Sequence, residues 1–115
     1  MAIKKADDKD IESAKNVLLE VKKLLEQNST DIDRFVKLDI KFHMVIAKST
    51  HNYLVETILD TIMVIFEPFI KKVLSSENGI QISVINHENL IKIIEEKNSL
   101  EAMNVVIKSL HEFMD

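Results

Sequence analysis

The chain has 115 residues, a net charge of −4 and a sequence pI of about 5.6, which suits one compact domain around a single core. It has no cysteine, which excludes disulfides and thiolate metal sites, and a mildly acidic domain lacks the basic face that DNA phosphates require. No apolar run approaches the length of a membrane span and the N-terminus has no signal-peptide core, so a cytoplasmic protein without a membrane segment is expected.

One glycine and one proline in a chain that is 46% hydrophobic argue for an all-α fold with short loops. Five helices are predicted. The first spans 8–27, with Ile11, Ala14, Val17, Leu18, Val21, Leu24 and Leu25 at helical spacing. The Asn28-Ser29-Thr30 cluster ends it. The second starts at Thr30 or Asp31, where Asp31 and Asp33 suit the positive end of the helix dipole, and runs to Ser49. Ser49-Thr50-His51-Asn52 is the next turn, with His51 exposed and Asn52 capping the third helix.

The third helix, 53–75, is apolar nearly all round, so it is central or part of an oligomer interface. Pro68 inside it predicts a kink or a break. A loop at 75–79 precedes the fourth helix, 81–97. The fifth begins at Asn98 or Ser99, where Asn98 and Glu101 have capping-box spacing, and runs to the end. The scattered methionines read as core filler. Lys71-Lys72 and Glu95-Glu96-Lys97 read as solvated surface.

On a wheel of about 100° per residue, Ile32, Phe35, Val36, Phe42 and Ile46 form one stripe of the second helix, and Asp39 and His43 fall within it. A buried carboxylate must be paired, hydrogen-bonded, solvated in a cavity or bound to a metal. The i, i+4 spacing puts acid and imidazole on one face, as a two-ligand metal site on a helix requires. The fourth helix sets His87 among Val84, Leu90, Ile91 and Ile94. Asp39, His43 and His87 could therefore begin a site for a divalent cation such as Zn²⁺ or Ni²⁺. A buried Asp–His hydrogen-bond network without metal explains the same pattern. For catalysis there is no identifiable nucleophile and no Gly-rich phosphate loop.

The run Asp39-Ile40-Lys41-Phe42-His43, then Ile46-Ala47 and Asn52, resembles the D-x-x-F-H…I-A…N signature of the FCD domain, the C-terminal effector domain of FadR-like regulators in the GntR family. His87 followed by Leu90-Ile91, then Asn98 and Ala102, resembles the family's later segment, and Ala6-Asp7-Asp8-Lys9-Asp10-Ile11 resembles the start of an early helix. The resemblance covers most of the chain. It implies an antiparallel helical bundle that binds a small effector, often a carboxylate, in a central cavity. In many members one Asp and three His hold a divalent metal at the cavity floor, and the effector changes how a dimer presents its winged-helix domains to operator DNA.

Asp39, His43 and His87 match three of those four ligand positions. The fourth falls on Ser109, and the nearby His111, two residues on, points nearly the opposite way on a helix. A shifted last helix that makes His111 the fourth ligand is one outcome, three protein ligands completed by water or an effector carboxylate are a second, and loss of tight metal binding is a third. The family's winged-helix domain and first effector-domain helix precede the segment where this chain begins, so a single domain over 1–115 is expected, lacking that helix. The resulting expectation is a non-enzymatic effector-binding and homodimerisation domain that reaches operator DNA only through an absent winged-helix domain. Two rivals are a structural dimerisation module with no ligand and a small metal-dependent hydrolase or lyase.

Overall fold

The computed structural model describes the backbone of residues 6–96 and 99–114, and the side chains of residues 6–96 and 101–108. The fold is all-α. Helix α1 spans Asp8–Glu26, α2 Ile32–Lys48, α3 Tyr53–Leu74, α4 Gly79–Glu96 and α5 Ser99–Met114. No strand occurs among the described residues.

Side chains close the helix ends. Asp7 and Asp10 form a reciprocal capping box at α1: the Asp10 N–H donates to Asp7 at 2.9 Å and the Asp7 N–H donates to Asp10 at 3.0 Å. Asp31 accepts from the Arg34 N–H at the start of α2. Asn52 caps α3, as expected, by accepting from the N–H groups of Leu54 and Val55. Asn98, the other expected cap, lies outside the described residues. Asn28, His51 and Asn78 each take a positive φ in the turns between helices, a region that asparagine tolerates and histidine enters less readily.

Two local expectations change. Helix α3 is not broken at Pro68. The missing N–H would have met the carbonyl of Val64, and Val64 lies on the exposed side, where that oxygen can turn to water. Helix α4 starts at Gly79, so the glycine is its first residue and not part of the loop. A Cβ there would overlap the Val73 carbonyl oxygen, so only glycine lets α4 begin this close to the end of α3.

Helix α2 packs against α1, α3 and α5, while α4 packs against α1, α3 and α5. The core between them holds Phe42, Ile46, Leu59, Met63 and Ile94, each almost wholly buried. Of the two positions foreseen for α3, the central one is excluded. Val55, Leu59, Met63, Ile70 and Leu74 face inward, but Leu54, Ile58, Val64, Ile65 and Phe69 are exposed.

Candidate metal centre

Two helices that share the core each turn a polar pair inward. Helix α2 contributes Asp39 and His43, and α4 contributes Ser83 and His87, each pair one turn apart. Asp39 and His87 are buried, and His43 is partly so. His87 Nε2 stands 3.2 Å from Asp39 Oδ1, and His43 Nε2 stands 3.5 Å from Asp39 Oδ2. Thus Asp39 lies between the two imidazoles, whose planes are nearly perpendicular with centroids 5.0 Å apart.

Two neighbours fix this geometry, and sequence reasoning had assigned neither a site role. The Ser83 hydroxyl donates to Asp39 Oδ1 at 3.0 Å. Its signal was its place one turn before His87 on the same face. Phe42, read as a core residue, stacks on the His87 ring at 4.1 Å with an 11° tilt and meets His43 edge-on. The Phe-His pair within the α2 run therefore supplies one side chain to the cluster and a flat support for another.

Burial pushes the Asp39 carboxyl up, but hydrogen bonds from His43 and His87, reinforced by their charge, outweigh it and hold the group well below the usual carboxylate range. Burial lowers the His87 imidazole, and its hydrogen bond to Asp39 only partly offsets this. The stable combination is an ionised Asp39 accepting from a neutral His87. Asp39 is fully served, but His43 is not: its Nδ1 is buried and has no hydrogen-bond partner among the described residues.

The donor set fits a divalent cation. Ligand atoms about 2.1 Å from a tetrahedral ion stand about 3.4 Å from one another. The two carboxylate–imidazole separations bracket that distance, and all three ligand atoms lie within 4.8 Å of one another. Nitrogen and oxygen donors without sulfur suit Zn²⁺ or Ni²⁺. Ser109 and His111 lie outside the residues whose side chains are described.

Asp39, His43 and His87 form part of the wall of a cavity of about 410 Å³ between the end of α3, α4 and α5. Its apolar walls include Ile70, Leu74, Leu90 and Val106, and its polar groups other than the cluster are Ser76, Ser83, Asn86 and Asn89. That is the size and chemistry of a small-molecule site.

His51 belongs elsewhere. Its Nε2 lies 2.8 Å from Asp10 and 3.9 Å from Asp7, so it clasps the α1 capping box to the α2–α3 turn. These three groups also lie close enough together to share an ion, but they are largely exposed and their mutual pairing accounts for them.

No helix among the described residues is long and apolar enough to cross a membrane. Comparisons with curated proteins and with solved structures each found no significant match. The family model of the FCD domain, typically the effector-binding C-terminal domain of GntR-family regulators, matches residues 1–112, and the chain belongs to that family.

Proposed function

We propose that this chain is the ligand-sensing and homodimerisation domain of a FadR-like transcription regulator. Asp39, His43 and His87 hold a divalent cation, Zn²⁺ or Ni²⁺, and the adjoining cavity receives a small carboxylate effector. The observation that carries this reading is the convergence of the three donor atoms on one wall of a ligand-sized cavity. When bound, the metal supplies a Lewis-acidic anchor for an effector oxygen.

The protein's own side chains do the rest. Before metal binds, Ser83 and the two imidazoles hold Asp39 in place, and Ser83 can keep its bond to Asp39 once the imidazoles turn to the metal. Phe42 keeps the His87 ring in plane. The apolar side chains on the wall offer the effector a nonpolar surface. Because these groups come from α2, α3, α4 and α5, a ligand that prefers one packing of those helices shifts the population toward it, and a dimer transmits that shift to attached DNA-binding domains. Operator contact belongs to a winged-helix domain of the family, and with its net charge of −4 the isolated chain is expected to show no sequence-specific DNA binding.

A second reading is favoured by one observation: Ser83, His43 and His87 already satisfy Asp39 without an ion. On that reading the cluster is a buried polar network and the chain a structural dimerisation module. Elemental analysis after Zn²⁺ loading separates the two. Near-stoichiometric metal, lost in His43→Ala and His87→Ala, supports the sensor; absence of metal from the loaded parent leaves the structural module.

A further inference from the structure

The corner between α3 and α4 carries an Asn-Gly pair that the metal cluster does not use. Asn78 is exposed and takes φ 60°, in the left-handed region that asparagine tolerates. Its carbonyl accepts the Ile82 N–H at 3.0 Å, which closes the first turn of α4. Gly79, next in the chain, is buried. Its N–H donates to the Ser76 carbonyl at 3.0 Å, and its Cα lies tightly against the Val73 carbonyl.

An asparagine followed by glycine has a reaction open to it that needs only water. The Gly79 nitrogen attacks Asn78 Cγ: an N–Cγ bond forms, the Cγ–Nδ2 bond breaks, and Nδ2 departs as ammonia with the proton that the Gly79 nitrogen gives up. Water then opens the resulting cyclic imide. Cleavage at Cγ leaves aspartate; cleavage at the main-chain carbonyl leaves isoaspartate, whose backbone runs through an extra methylene. Glycine favours the attack because no Cβ crowds its nitrogen. Asn28 is the comparison within the chain. It too is exposed, with φ 54°, and the Ser29 N–H after it donates to the Leu24 carbonyl at 3.0 Å. The two asparagines differ chiefly in the residue that follows. In the fold the attack at Gly79 is held back, since its N–H must leave Ser76 and its backbone must turn away from Val73.

From this geometry we infer that Asn78-Gly79 is a site of spontaneous deamidation, gated by opening of the α3–α4 corner, and that its isoaspartate product displaces α4. The two products differ in consequence. An aspartate at 78 tolerates the left-handed backbone and adds a negative charge beside the positive end of α4, whose first turn has no acid of its own. Isoaspartate lengthens the chain where even a Cβ on Gly79 would overlap the Val73 carbonyl, so the start of α4 must move. Helix α4 carries Ser83 and His87, and the displacement reaches both. The inference holds whether or not the cluster binds metal.

The test holds the whole chain in mildly alkaline buffer, with and without concentrated urea, and follows Asn78 and Asn28 by peptide mass spectrometry. Exchange of the amide nitrogen for oxygen adds about 1 Da. In urea Asn78 should convert at least about tenfold faster than Asn28. Without urea Asn78 should convert at least about tenfold more slowly than in urea, because the corner is closed. A smaller difference in the first comparison overturns the site, and a smaller one in the second overturns the gating. Chromatography then separates the aspartate and isoaspartate forms of the aged chain. The aspartate form should melt with the parent and with the Asn78→Asp variant, and the isoaspartate form at a lower temperature. An isoaspartate form that melts with the Asn78→Asp variant overturns the displacement of α4.

Discussion

The cluster between α2 and α4 and the outer face of α3 break the usual partition of residues in opposite ways. In the first, polar groups are inside: Asp39 is 8% exposed and His87 5%. In the second, apolar groups are outside: Ile65 is 63% exposed and Val64 69%. Leu54, Ile58, Ile65 and Phe69 recur at spacings that put them along one flank of α3. Buried polar groups and contiguous exposed apolar ones carry more information than ordinary core residues, because each has a cost that something must offset. The cluster offsets its cost internally, through the bonds to Asp39. The α3 face has no such compensation among the described residues, which is why it supports the proposed homodimer.

This contrast predicts a graded set of responses. Asp39→Ala strips both imidazoles and Ser83 of their common acceptor, and should cost about 3 kcal/mol in urea denaturation. A loss below about 0.5 kcal/mol would mean that the bonds to Asp39 do not hold the cluster together. Gly79→Ala should cost about 2 kcal/mol, since backbone must move to clear the Val73 carbonyl, and the helix that carries His87 should shift with it. Unchanged stability and unchanged His87 chemical shifts would remove Gly79 from the account.

The metal-free chain should lose stability as pH falls below the ordinary imidazole value of 6.5. Burial lowers the folded-state pKa of His87, so the unfolded chain takes up a proton that the folded chain resists. The slope should reach up to about 1.4 kcal/mol per pH unit and flatten in His87→Asn. Asp39, held low in the fold, adds a second loss only as pH falls below 3.8. A stability that rises as pH falls from 6.5 would contradict the neutral, buried His87. Removal of the α3 cap in Asn52→Ala should cost about 1 kcal/mol by thermal unfolding.

The smallest effect on the folded monomer belongs to the other region. Ile65→Glu should change its stability by less than about 0.5 kcal/mol, because the side chain is largely exposed. In sedimentation equilibrium, however, it should weaken self-association at least about tenfold. Unaltered association in Ile65→Glu and Ile58→Glu alike would place any dimer contact elsewhere.

Much of the cluster was legible because helical periodicity reports which face is buried, and Asp39, His43 and His87 interrupt apolar stripes. Periodicity does not report which side chains meet across helices. The Ser83 hydroxyl gives no signal of its own, and Phe42 looks like any core aromatic until its stacking on His87 is seen. Ser49 and Thr50 read as turn residues, yet both are buried, their hydroxyls bonded to the carbonyls of Ile46 and Ala47. Pro68 left a kink or a break open, and the break does not occur, because its effect on a helix depends on whether the freed carbonyl can reach water, which is a tertiary property. Gly79 misled because its role is set by the distance to the end of α3, and not by turn propensity.

In the proposed sensor His43 and His87 meet at one ion beside Asp39. Nitrogen-15 NMR of the imidazoles during Zn²⁺ addition tests it most directly. The His43 and His87 ring nitrogens should shift together and saturate at about one equivalent of Zn²⁺, while His51 stays unchanged. Shifts at His51 alone, or no imidazole shift at either core histidine, would contradict it.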